Sequence, residues 1–196
     1  MRFFSYLALV VFFFDLPVPI YWLILHPGAR FWRRHVRAAF YFAGLGAWTA
    51  GGIFVVVFRR ALIEGGAPSI LVTVIGVALV AVDFVLFYYA GKHLGHRKLV
   101  GHAELTGKTE LTREGMYRYA RHPRYSGMIL AVLGACLLAG TRFGWIVGGV
   151  WFVMVMGTIF LEEREMRERF GREYEEYCRA VPRFGARIMG TWGRYT

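Results

Sequence analysis

The chain has 196 residues, of which 57% are hydrophobic and 19% are charged. Soluble domains average about 45–50% apolar and about 25% charged residues, so this composition excludes a soluble globular enzyme, a disordered chain and a disulfide-stapled secreted fold. The 24 basic and 13 acidic residues give a net charge of +11, which we attribute to orientation in a membrane and not to nucleic acid binding.

Five apolar runs are predicted to cross the membrane as helices, each of which needs about 20 mostly apolar residues. They are Phe3–Leu25, Ala38–Phe58, Ile70–Ala90, Tyr125–Gly140 and Phe143–Leu161. We expect the first run to be a kinked span and not a cleaved signal peptide, because Asp15, Pro17 and Pro19 interrupt it. The sequence therefore predicts an all-α integral membrane protein with five transmembrane helices.

The fourth run is short, at 16 residues, and the fifth follows after only Thr141 and Arg142. So tight a link predicts that spans four and five form a C-terminal helical hairpin. A short span is compatible with a bilayer if its first turn begins below the membrane surface, against protein instead of lipid.

The basic residues orient the five spans. Four lie in the loop after span one, eight in the loop after span three and eight in the tail, which leaves Arg2, Arg59, Arg60 and Arg142 on the other side. Because cytoplasmic loops carry the excess of Lys and Arg, we predict an N-terminus outside and a C-terminus in the cytoplasm. The polar segments 91–124 and 162–196 are then cytoplasmic.

The segment just before span four, residues 111–127, is dense in polar side chains. Pro123 is suited to the first position of a helix and favours an extended His122 before it. The N–H groups of that helix end, beside Arg121 and His122, would form a site for a carboxylate or phosphate. A helix cap with interfacial Tyr and Arg anchors is the alternative.

Two acids, Glu162 and Glu163, directly follow the last apolar run. Carboxylates at a membrane interface need a partner, and the hairpin brings this pair close to Arg121, His122 and Pro123. A cationic, carboxylate-bearing ligand could therefore lie between the two segments. We interpret the charges that follow as a solvated helix with salt bridges.

No metal site is predicted. His93, His96 and His102 lie near one another in the sequence, but no Cys or carboxylate completes a usual ligand spacing. There is also no glycine-rich nucleotide-binding loop.

Four motifs in order resemble the isoprenylcysteine carboxyl methyltransferase and phospholipid methyltransferase family, which are integral-membrane enzymes that use S-adenosylmethionine. They are Gly115–Gly127, Glu162-Glu163, Phe170–Tyr177 and Val181-Pro182-Arg183, within roughly residues 91–187. The resemblance implies a cofactor pocket lined by Leu111, Gly115, Tyr117, His122, Pro123, Tyr125, Glu162 and Glu163. It also implies catalytic roles for Arg121, His122, Glu162 and Arg183.

The resemblance thus implies transfer of a methyl group from S-adenosylmethionine to a lipophilic acceptor. Isoprenylcysteine carboxylates, phospholipid amines and small apolar thiols or alcohols all remain open as acceptors. Residues 1–90 would form a three-helix scaffold with substrate access, and residues 91–196 the methyltransferase core. The expected partners are the bilayer and the acceptor, without nucleic acid; the oligomeric state cannot be read from the sequence.

Two other functions are compatible with parts of the sequence. Sterol-type membrane reductases use NADPH and share an Arg-His-Pro-x-Tyr element, but they usually carry Glu where Met128 follows Gly127 here. A non-catalytic membrane protein that binds anionic lipid through its basic cytoplasmic face is the third possibility.

Two acids, Asp15 and Asp83, lie within predicted spans at similar depth, and no basic residue lies within any span to pair with them. A charged Asp at that depth costs about 2.5–3.5 kcal/mol even on insertion scales, so each should face protein or a cavity. We expect either a hydrogen bond to a neighbour such as Thr49 or Tyr88, or a role in acceptor access.

The orientation is testable with reporter fusions. A reporter after Thr196 and another within the loop 64–69 should lie on opposite sides of the membrane, because three of the predicted spans lie between these two positions. Fusions that report the same side would contradict the five-span prediction.

Overall fold

The computed structural model describes residues 2–25, 37–65, 68–94 and 111–185, and every regular element in these ranges is a helix. Several residues used in the sequence analysis lie outside the described residues. They are His96 and His102 and the basic residues Arg30, Arg33, Arg34, Arg97, Lys98, Lys108, Arg187 and Arg194.

The helices follow the predicted apolar runs in chain order. Helix α1 spans Arg2–Asp15, and after a turn at Leu16 the chain is helical again over 17–25, here called α2. Then come α3 (Arg37–Ile63), α4 (Ile70–Leu94), a 3-10 helix (Gly115–Arg118), α5 (Pro123–Ala139), α6 (Arg142–Phe170) and α7 (Arg172–Ala180).

Within the described residues, four helical stretches are long and apolar enough to cross a membrane. They are Phe3–Leu25, Tyr41–Ile63, Ile70–Lys92 and Arg142–Phe170, and Pro123–Ala139 is a shorter apolar helix. The prediction of an all-α integral membrane protein is confirmed, whereas the count of five spans stays a prediction that depends on α5.

The prolines interrupt the first span as expected. Helix α1 ends at Asp15, and Pro17 and Pro19 are fully buried just beyond the break. The indole N–H of Trp151 on α6 donates to the Asp15 carbonyl oxygen over 2.7 Å. The break leaves the Asp15 carbonyl without a partner in its own helix, and the indole N–H satisfies it inside the apolar bundle.

Helices α5 and α6 form the predicted hairpin. Gly140 ends α5 in the left-handed conformation at φ +65°, which glycine adopts without steric cost. The Thr141 hydroxyl accepts from the Gly144 N–H over 3.0 Å and donates to the Leu62 carbonyl oxygen over 2.8 Å. One side chain therefore caps α6 and fastens the hairpin to the end of α3.

Helix α6 does not end at Leu161, where the last predicted span stops, but continues without a break to Phe170. The added turns carry the pairs Arg164–Glu168 and Arg169–Glu165 at i,i+4 spacing, which support a solvated helix. The helix ends where Gly171 takes a positive φ of 51°.

Helix α5 lies inside the bundle. It packs most extensively along α4 and also contacts α1 and α6, and Leu133 is its only exposed residue. This burial confirms that the short span faces protein. It also brings Arg124, which directly precedes the predicted fourth span, to Asp83 and Asp15. The two acids therefore pair with a basic residue, and not with a neutral neighbour such as Thr49 or Tyr88 as expected.

The α4–α5 contact depends on glycine. A Cβ atom added to Gly134 would lie 2.6 Å from the Gly76 carbonyl oxygen, and one added to Gly76 would lie 2.8 Å from Cγ of Leu138. Backbones in membrane bundles approach this closely only where residues are small.

We expect Gly134→Ala to lower the midpoint of thermal unfolding in detergent, since overpacking costs about 1–3 kcal/mol. Gly149→Ala is the matched control, because a Cβ added there meets nothing within 4 Å. Alanine is otherwise the better helix former, so the control midpoint should stay unchanged or rise. Equal midpoints for the two variants would contradict the close contact.

Candidate functional site

The centre of the site is the carboxylate of Glu163, which is fully buried near the end of α6. Arg121 reaches its Oε1 atom at 2.9 Å, and the Nε2 atom of His122 lies 3.2 Å from the same oxygen. Arg183 donates to Oε2 over 2.6 Å and to Oε1 over 3.0 Å, and Arg167 approaches Oε2 at 3.4 Å. A buried carboxylate is tolerated only with such partners.

His122 is positioned by the start of α5. Pro123 is the first residue of the helix and His122 is its N-cap, with φ −123° and ψ +58°. The φ angle fits a residue before proline, but the ψ angle does not reach the extended region that the sequence predicts for His122. The imidazole is 5% exposed. It lies between the rings of Tyr125 and Phe184, at centroid distances of 5.7 and 6.4 Å.

The chain after α7, Val181–Arg183, folds back along Arg121 and His122, and we call it the C-terminal strap. The Arg121 N–H donates to the Pro182 carbonyl oxygen over 2.9 Å, and the His122 N–H donates to that of Arg183 over 3.1 Å. These bonds bring Arg183 to Glu163.

Arg121 is bound on several sides. Besides Glu163, its guanidinium donates to the carbonyl oxygens of Cys178 and Val181 over 2.9 and 2.7 Å. These two carbonyls lie at the C-terminal end of α7, where helix carbonyls need external donors. Arg121 therefore connects α6, α7 and the strap.

Two tyrosines of α7 hold the segment that precedes α5. The Tyr177 hydroxyl donates to the Tyr117 carbonyl oxygen over 2.6 Å, and burial raises the pKa of Tyr177 far above its usual value, so that the hydroxyl stays protonated. Tyr174 and Tyr177 pack with Val181 and Leu111. Gly115 begins the 3-10 helix with φ +60°.

Glu162 differs from its neighbour. It is only partly buried, and within the described part of the chain it makes no hydrogen bond or ion pair. Burial raises the pKa of the Tyr117 phenol, and the nearby Glu162 carboxylate raises it further. Among the described residues, Glu162 therefore lies outside the ion-paired network that binds Glu163.

The structure brings the residues predicted from the sequence to one end of the α5–α6 hairpin. Arg121, His122, Glu163 and Arg183 form one ion-paired network. Around it lie Leu111, Gly115, Tyr117, Pro123, Tyr125 and Glu162. Arg121 and Glu163, which the sequence predicts as ligand contacts, bind each other in this structure.

Arg167 is interpreted from the sequence only as a charge of a solvated helix, although its position four residues after Glu163 on one helix was a usable signal. Tyr174 and Tyr177 lie in the Phe170–Tyr177 motif of the resemblance. That motif did not indicate what they contact, because their contacts join α7 to residues about 60 positions earlier. Among the described residues, no group of three His, Cys, Asp or Glu side chains could hold a metal.

We expect Glu163→Gln to destabilise the protein strongly, because breaking a buried ion pair leaves an uncompensated charge at a cost of about 3–5 kcal/mol. Thermal unfolding in detergent measures this. Glu168→Gln is the control, since its pair with Arg164 is solvent-exposed and such pairs contribute about 1 kcal/mol or less. Similar shifts for both variants would show that the Glu163 network does not hold the site together.

The sequence was compared with known proteins. A probable protein-S-isoprenylcysteine O-methyltransferase of Oryza sativa subsp. japonica is 36% identical over 72 residues, which cover 34% of this chain and 36% of the relative. Protein-S-isoprenylcysteine O-methyltransferase B of Arabidopsis thaliana is 31% identical over 74 residues, which cover 35% and 36% of the two chains. The chain thus matches little more than a third of the length of these relatives. No solved structure matches.

A model of the phospholipid methyltransferase family matches residues 71–173, slightly more than half of the chain. The match runs from α4 through the hairpin to the start of α7, and it includes His122, Glu162 and Glu163. Because the match covers more than half of the chain, this chain belongs to the phospholipid methyltransferase family.

Proposed function

We propose that the protein transfers a methyl group from S-adenosylmethionine to a lipophilic acceptor at the end of the α5–α6 hairpin where Glu162 and Glu163 lie. The observation that carries this proposal is that sequence motifs up to 60 residues apart meet around Glu163. Beside them, Glu162 is a carboxylate without a protein partner among the described residues.

The residues present suit S-adenosylmethionine, which carries a sulfonium cation, an amino group, a carboxylate and a ribose diol. Glu162 suits the amine or the diol, and the backbone N–H groups at the start of α5 suit the carboxylate. The rings of Tyr117 and Tyr125 offer surfaces for the adenine. When bound, S-adenosylmethionine supplies an electrophilic methyl group.

The Glu163 network orients the site in this proposal. Arg121 is a positioning residue, because its donors are directed to Glu163 and to two carbonyls. Glu163 also fixes the His122 ring, and Arg183 holds the strap against both. Methyl transfer is an in-line displacement, so alignment and exclusion of water are its main demands.

The acceptor is proposed to reach the site from the bilayer through the three-helix region 1–90, with the site on the cytoplasmic side. The plant relatives are named for an isoprenylcysteine substrate and the family for phospholipids. A thiolate or carboxylate acceptor needs no general base, whereas an amine or alcohol does.

Calorimetry in detergent tests the cofactor. We expect binding of S-adenosylmethionine and of its demethylated product, with an affinity at least tenfold weaker in Glu162→Gln, because an unpaired carboxylate is lost. Glu176→Gln, which removes a half-exposed carboxylate on α7, should bind like the wild type. Radiolabelled methyl transfer to a panel of lipid amines, isoprenylated peptides and apolar thiols would then identify the acceptor.

Binding of NADPH without S-adenosylmethionine would overturn the proposal in favour of the reductase. Binding of neither, with retained affinity for anionic vesicles, would support the non-catalytic alternative.

A further inference from the structure

A second ion-paired cluster lies inside the bundle, separate from the Glu163 network. The Arg124 guanidinium donates to the Asp83 carboxylate and lies 3.8 Å from the Asp15 carboxylate. The two acids are buried, with side chains 12% and 7% exposed. The guanidinium also lies 4.9 Å from the centre of the Phe87 ring. We call Asp15, Asp83 and Arg124 the arginine clamp.

The clamp joins the end of α1, the middle of α4 and the start of α5. Asp15 is the last residue of α1, directly before its break, and Asp83 lies near the middle of α4. Arg124 is the second residue of α5. Each charged group would be costly at this depth without the others, so the cluster fixes where α5 begins along α4.

Close packing at the same place leaves α5 little freedom. A Cβ atom added to Gly127 would lie 2.5 Å from Oδ1 of Asp83, so the first turn of α5 rests directly on this carboxylate. A side chain at position 127 would therefore push the start of α5 away from α4.

The clamp is connected to the site by a single turn of helix. Arg124 is two residues after His122, and both the N–H and the hydroxyl of Ser126 donate to the His122 carbonyl oxygen over 3.0 Å. A shift of the first turn of α5 would therefore move His122 and Arg121 relative to Glu163, which lies on a different helix.

We propose that Arg124 is a positioning residue: by binding Asp15 on α1 and Asp83 on α4, it sets the start of α5 and thereby holds His122 and Arg121 at the Glu163 site. The effect on cofactor binding rests on the proposed function, but the effect on the local backbone does not. No contact of Arg124 with a ligand is required.

The test compares Arg124→Met with Gly134→Ala, which loosens the same α4–α5 contact ten residues farther along α5. Amide exchange, followed by mass spectrometry at a temperature where both variants are folded, is the ligand-independent measurement. In Arg124→Met we expect at least tenfold faster exchange in peptides that cover 121–126, where the N–H groups of Arg121, His122 and Ser126 are hydrogen-bonded. Gly134→Ala should leave these peptides at the wild-type rate.

The ligand measurement is the affinity for S-adenosylhomocysteine by calorimetry. We expect at least a tenfold loss in Arg124→Met, wild-type affinity in Gly134→Ala and substantial recovery in Arg124→Lys, which keeps the charge between the two acids. Asp83→Asn keeps the shape of the side chain and one acceptor oxygen, so we expect a smaller loss of affinity. This variant replaces Arg124→Met in the test if Arg124→Met does not fold.

Unchanged exchange over 121–126 in both Arg124→Met and Asp83→Asn would overturn the proposal, as would equal losses of affinity in Arg124→Met and Gly134→Ala. If the wild type binds no S-adenosylhomocysteine, the proposed function fails, and faster exchange confined to the clamp variants still supports the positioning role.

Discussion

The Glu163 carboxylate holds together three chain segments that no secondary structure joins. It lies on α6, its partners Arg121 and His122 precede α5, and Arg183 belongs to the C-terminal strap. A fully buried carboxylate is stable only when charged partners and hydrogen bonds replace water. The tail therefore has to return to the start of α5, and this return creates the site.

The same requirement separates the two neighbouring acids. Successive residues of an α-helix point about 100° apart, so Glu163 faces the protein interior while Glu162 is partly exposed beside Tyr117. Glu163 is used to build the network, and Glu162 lies outside it. In the proposed function, Glu162 binds the cofactor without disturbing the network that holds the fold.

Helix α5 connects the site to the rest of the bundle. Its 17 residues are at the short end of the range for a membrane span, and the helix is surrounded by α1, α4 and α6. Because the helix begins beside the middle of α4, Arg124 meets Asp83 and Asp15 inside the bundle. Helix α5 is thus held by charged groups at its first turn. Farther along, at Gly134, it is held by the close approach of its backbone to that of α4.

The sequence by itself determined the positions of the helices, the hairpin, the break before Pro17 and the segments that carry the site. Hydrophobic run length, proline and glycine are local signals, and they act within one turn or one span. The sequence could not determine which partner each charge takes. The pairing of Arg121 with Glu163 and of Arg124 with Asp83 joins residues about 40 positions apart. Only the packing of α5 inside the bundle decides these pairs, because burial removes the water that would otherwise solvate each charge separately.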